Sequence, residues 1–125
     1  MPSAVLTLMP KFLRLLAALA ALAIVLGLFI GGAQPYAVGL FTPPWDKVAH
    51  ATVFAGFAFI LHAGIGWRWG WAVLAALALG SADELHQIFL PGRQAGFDDL
   101  AADLIGAALG VLLASILKQQ IRARL

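Results

Sequence analysis

The sequence predicts an all-α integral membrane protein, a four-helix bundle with both termini cytoplasmic. Three observations predict it. Hydrophobic residues make up 62% of the 125-residue chain and charged residues only 11%, more apolar surface than a soluble domain of this size can cover. The apolar residues gather into four runs, each near the roughly 20 residues a helix needs to cross a bilayer core of about 30 Å. Most Lys and Arg residues fall on one side of those runs.

The first run covers residues 12–30 and is rich in Ala and Leu. Gly31-Gly32, Pro35 and Pro43-Pro44 end it and make the first link. The second run covers 48–66. Gly64, Gly66 and the corner Trp67-Arg68-Trp69 turn it sharply into the third, 69–89. Pro91-Gly92 opens the third link, and the fourth run covers 99–117. Lipid offers no water to unpaired backbone groups, so each run must be helical. Trp67, Trp69 and Trp71 suit a membrane interface. The chain is one transmembrane domain, 1–125, without an internal repeat or a soluble module.

Orientation follows from the preference of basic residues for the cytoplasmic side. Lys11, Arg14, Arg68, Lys118, Arg122 and Arg124 share one side, and Lys47 and Arg93 lie on the other. The first and third links therefore face outward. A competing reading takes Lys11, Arg14, the first run and Gly32-Ala33 as a signal peptide cut after Ala33. Three spans would then remain, with the same polar side outward. The chain has no Cys, which excludes disulfides, thiolate catalysis and thiolate metal sites. It has no dense basic face, so nucleic acid is not a partner. The bilayer is.

All six acidic residues lie between positions 46 and 103: Asp46, Asp83, Glu84, Asp98, Asp99 and Asp103. With four spans, each falls at or near the outer end of a helix. An ionisable residue inside a span costs about 2.5–3.5 kcal/mol on insertion scales and marks a functional site by default. His50, Glu84 and Asp103 lie deeper than the rest. At 1.5 Å per residue, each sits about 6–8 Å inside its helix end. Three helices thus offer polar groups at one depth, which predicts a shared pocket. On the fourth run, Asp99, Asp103, Gly106 and Gly110 share a stripe, its two glycines forming a small face for a close helix neighbour.

Blander roles compete. Asp46, Asp98 and Asp99 sit where carboxylates cap helix N-termini. Lys47 and Arg93 suit surface pairing with those acids. Gln87 suits inter-helix bonding, and Asp83 and His86 suit the interface. His62, near the cytoplasmic end of the second run, reads as structural. His50, Glu84 and Asp103 have no such ready explanation.

These residues resemble a known family. Asp46-Lys47-Val-Ala-His50, with Phe54 after it, looks like the DKxxH opening of VanZ-like membrane proteins. Asp83-Glu84-Leu-His-Gln87-Ile-Phe-Leu-Pro91-Gly92-Arg93 is similar to the family's ExxQxFxPxR segment. Asp99, Asp103, Gly106 and Gly110 resemble its closing DxxxNxxGxxxG pattern, with Asp103 where that family often has Asn. The resemblance covers about residues 44–117. It implies a multi-pass protein of the bacterial inner (cytoplasmic) membrane, acting in the cell envelope. The family's namesake is associated with teicoplanin resistance, which makes antibiotic resistance the expected label. The resemblance supplies no reaction.

Three functions fit. In the first, an enzyme acts on a lipid-linked or cell-wall precursor at the outer face. His50, Glu84 and Asp103 would be its general acid–base groups, and Asp46, Lys47, Gln87, Arg93 and Asp99 would bind the substrate, the basic ones holding an anion. No cofactor is certain. Carboxylates and imidazole also suit a divalent cation, Mg²⁺, Mn²⁺ or Zn²⁺, although a local motif such as HExxH is missing. In the second, the same pocket sequesters an anionic envelope ligand without turnover. In the third, the chain is a small proton-coupled transporter subunit. The small-residue face also suits a homodimer.

Overall fold

The computed structural model describes the backbone of residues 3–124 and the side chains from Pro10. It contains four long helices and no strand among the described residues. α1 spans Ser3–Leu26 and continues into a π-helical turn, Gly27–Gly31. α2 spans Trp45–Phe59 and continues into a second π-helical turn, Ile60–Ile65. α3 spans Trp69–Ile88 and α4 spans Phe97–Arg124. The all-α four-helix reading of the sequence is therefore right.

Three stretches are long and apolar enough to cross a membrane: Pro10–Gly31, Trp45–Ile65 and Phe97–Arg124. α3 has 20 residues, and its C-terminal half carries Asp83, Glu84, His86 and Gln87. Asp83, Glu84 and Gln87 are buried against neighbouring helices. The polarity that lowers the hydropathy of α3 thus faces the bundle and not the surroundings. Large apolar side chains such as Leu19, Leu74, Leu109 and Leu113 are exposed around the outside, as lipid contact requires.

Three helices differ from their expected limits. α1 begins at Ser3 and not at Phe12. α2 begins at Trp45, directly after Pro44, whose carbonyl accepts the amides of Lys47 and Val48. α4 runs past Leu117 to Arg124. Its last turns are Lys, Gln and Arg, which favour helix, and their positive charge suits the negative end of the helix dipole. The links turn at glycines: Gly39, Gly66 and Gly92 all have positive φ, a conformation glycine reaches without steric cost.

The core is made of small residues. α2 and α4 form the most extensive contact. A Cβ on Gly106 would collide with the backbone of Ala51, and one on Gly110 with the backbone of Ala55. Ala58, Ala72, Ala107 and Ala114 are fully buried, as is Phe54. In lipid, helices gain little from the hydrophobic effect, so close backbone approach carries the association. This packing consumes the Gly106–Gly110 face inside the chain. A homodimer would have to use another face. α1 is the least buried helix, with Ala21 its one buried residue among those described. It docks near the end of α2, where Ala17 lies against Gly64 of the second π-helical turn.

Candidate functional site

The start of α2, the end of α3 and the start of α4 meet at one end of the bundle. There the structure brings together the three residues that the sequence places at equal depth. One potential ligand atom each from His50, Glu84 and Asp103 lie within 4.8 Å of one another. His50 Nδ1 is 2.8 Å from Asp103 Oδ1. Asp103 is only 1% exposed and Glu84 9%. Glu84 Oε2 accepts the Gly96 amide at 2.9 Å. The other oxygens, Glu84 Oε1 and Asp103 Oδ2, are buried and have no hydrogen-bond partner. Buried polar atoms are nearly always paired, so two such oxygens in one cluster are unusual.

The local sequence explains each placement. Glu84 follows Gly80 by one turn of α3, and Gly80 lies beside Asp103, where a Cβ would stand 2.8 Å from Oδ2. Gly80 therefore leaves room for the Asp103 carboxylate against α3. Gly106, one turn beyond Asp103, lets α4 approach α2 closely enough for Asp103 to reach His50. Asp83 and Gln87 complete the wall: Gln87 Nε2 donates to Asp83 Oδ2 at 3.1 Å, and both are 3% exposed.

The other candidates divide. His50, Asp46, Gln87, Arg93 and Asp99 line one cavity of about 300 Å³ beneath the first link. Arg93 pairs with no carboxylate; its Nη1 donates to the Ala37 carbonyl at 3.0 Å and ties the third link to the first. Lys47 is the centre of an ionic hub. Its Nζ lies 2.8 Å from Asp46, 3.1 Å from Asp98 and 2.5 Å from Asp99. The anion-holding role expected of Lys47 thus meets three protein carboxylates already in place. The hub thus engages all three acids that sit near helix N-termini, Asp46, Asp98 and Asp99. The residue at the N-cap of α2 is Pro44, whose side chain makes no capping bond.

Two features escaped the sequence reading. Asp83, assigned there to the interface, is buried; its pairing with Gln87, one turn on, was the available signal. The amide of Gly96 as a partner for Glu84 had no signal, because it depends on how the third link folds back. His62 bonds within the fold: Nδ1 is 2.7 Å from the Trp67 carbonyl oxygen and Nε2 is 3.1 Å from Ser115 Oγ.

A second cavity adjoins the cluster from the side. It measures about 420 Å³ and is lined by Ser81, Glu84, Leu85, Ile88, Phe97 and Leu100. It is almost wholly apolar, with Glu84 as its one ionisable residue. The polar cavity is lined by His50 and the apolar one by Glu84, so each reaches one member of the cluster.

Fold and site together define a helical membrane protein with a buried acid and histidine cluster at one end of its bundle. The family model described as VanZ/LLP1 matches residues 4–118, and the chain belongs to that family. The match extends beyond the motif-bearing segment at 44–117 to include α1. No curated protein and no solved structure matches the chain.

Proposed function

We propose that the protein works in the bacterial cell envelope, in the inner membrane, and takes a lipid-linked precursor into the outer end of its bundle. One observation carries the reading. Within the His50–Glu84–Asp103 cluster, His50 lines a cavity with polar walls and Glu84 lines another that is almost wholly apolar. A ligand with a polar head and a hydrocarbon tail matches that pair of cavities, with its junction at the cluster. A water-soluble ligand would leave the side cavity unused. Arg93 keeps guanidinium donors beyond the one spent on Ala37, and these suit a phosphate or carboxylate head.

Catalysis and sequestration share this pocket. A neutral His50, donating Nδ1–H to Asp103, presents Nε2 as a base, which favours acid–base chemistry on the bound head group. Transport is the weaker reading, because the buried charged groups among the described residues all lie at one end of the bundle. The family link to teicoplanin resistance fits either form of envelope precursor handling.

The test is retention of a polyprenyl diphosphate by detergent-purified protein, compared with inorganic diphosphate and with the uncharged lipid alcohol. The expected result is retention of the lipid diphosphate alone, reduced about ten-fold or more by Arg93→Ala, in line with losing a charge-assisted contact. Equal retention of the lipid alcohol, or none of any probe, would sink the reading. Phosphate release on the same samples separates turnover from sequestration.

A further inference from the structure

Six acids lie between residues 46 and 103, and they share the outer end of the bundle with just two basic residues, Lys47 and Arg93. Lys47 is committed to Asp46, Asp98 and Asp99, and Arg93 to a backbone carbonyl. Neither pairs with Glu84 or Asp103. These two carboxylates are more than nine-tenths buried, and each keeps an oxygen without a partner. A buried acceptor left unpaired is costly. One cation between the two carboxylates satisfies both oxygens at once.

We propose that the chain binds one divalent transition-metal cation, Mn²⁺ or Zn²⁺, between His50, Glu84 and Asp103. The donor set is one imidazole and two carboxylates, a mixture that suits these ions better than the all-oxygen preference of Ca²⁺ or Mg²⁺. The three donors lie within 4.8 Å of one another and come from three different helices. A metal about 2.0–2.2 Å from each sets them roughly 3–3.5 Å apart, so the more distant pairs close in, while His50 and Asp103, hydrogen-bonded at 2.8 Å, exchange that contact for the metal. Three protein donors leave further coordination positions open. His50 lines one cavity and Glu84 another, and these two cavities are the routes by which a ligand would reach the ion. A phosphate oxygen entering there would meet a cation and not a wall of carboxylates. The acid at position 103 is what supplies the second carboxylate.

The inference deepens the lipid-precursor reading and rests on the same pocket, but its test uses no lipid. Chelator-stripped, detergent-purified full-length protein is titrated calorimetrically with MnCl₂ and with ZnCl₂. The expected result is about one ion per chain. Glu84→Gln and Asp103→Asn should each weaken binding by more than the roughly 10–100-fold that losing an outer partner of a metal ligand costs. Helical content and melting are recorded for each variant. Should a variant misfold, Mn²⁺ electron paramagnetic resonance on the wild type decides independently. It should show nitrogen coupling from one imidazole, absent in His50→Gln. No bound ion in the wild type, binding unchanged in folded Glu84→Gln and Asp103→Asn, or a bound ion without nitrogen coupling overturns the proposal. Lipid retained without metal would overturn the metal site alone. Metal bound without lipid retention would overturn the lipid reading alone.

Discussion

At the residue scale, Lys47 shows how little spacing tells about partners. The sequence places it beside Asp46 at a helix start, which suits a surface pair or an anion contact. The structure places its ammonium against carboxylates from two helices, Asp46 on α2 and Asp98 and Asp99 on α4. The depth of a residue along its helix follows from counting at 1.5 Å per residue. That count put His50, Glu84 and Asp103 at one level, and they do meet. Rotation and separation between helices depend on packing across the whole face, which counting does not give. Hence Asp83 reads as interfacial in the sequence and is buried in the fold. Removing the hub cation leaves Asp99, mostly buried, beside Asp46 and Asp98 with no counter-charge. Lys47→Met should therefore destabilise the protein by roughly 1.5–3 kcal/mol, the range for hydrogen bonds to charged groups. Lys47→Arg should recover part of that loss, since a guanidinium keeps the charge but not the compact geometry. Denaturant titration in detergent checks both; a Lys47→Met protein as stable as the parent would mean that the hub is solvated and weak.

At the element scale, the small residues separate two kinds of helix contact. Gly106 and Gly110 hold α4 against the backbone of α2 beside the cluster, whereas Gly64 holds α1 at the opposite end, through Ala17. The stripe of Asp99, Asp103, Gly106 and Gly110 was legible as one face. That it packs within the chain, and not against a second copy, was not, because small faces look alike in sequence. The π-helical turns ending α1 and α2 were also invisible, since neither contains a proline that would announce a break. The two contacts should respond differently to one change. Gly106→Val forces α2 and α4 apart and should cost at least the roughly 1–3 kcal/mol of overpacking, while also separating His50 from Asp103. Gly64→Val, whose Cβ would meet the Ala17 side chain at 2.6 Å, should cost a similar amount yet leave ligand binding intact. Melting temperature paired with metal titration distinguishes them. Loss of binding in both variants would show that α1 supports the site through the bundle.

At the scale of the whole molecule, charge divides the bundle more sharply than hydropathy does. Every acid lies between residues 46 and 103, whereas Lys11, Arg14, Arg68, Lys118, Arg122 and Arg124 lie outside the acidic end. The fold agrees with the division: the start of α2, the end of α3 and the start of α4 share the acidic end, and Arg68 precedes α3 at the other. Basic residues near helix ends are retained on the cytoplasmic side, so the cavity beneath the first link should open outward. The absence of Cys from the chain makes this directly measurable with single introduced thiols. Gln34 is exposed in the first link, and Gln94 is exposed in the third. Gln34→Cys and Gln94→Cys should react with a membrane-impermeant maleimide in spheroplasts. Arg68→Cys and Arg122→Cys should react only after the membrane is opened. The reverse pattern would put the His50–Glu84–Asp103 cluster on the cytoplasmic face and remove any access to envelope precursors from outside. Labelling of all four positions from outside would break the four-span topology itself. The expected pattern instead requires α3 to cross the membrane despite its acids, with Asp83 and Glu84 sheltered by α2 and α4.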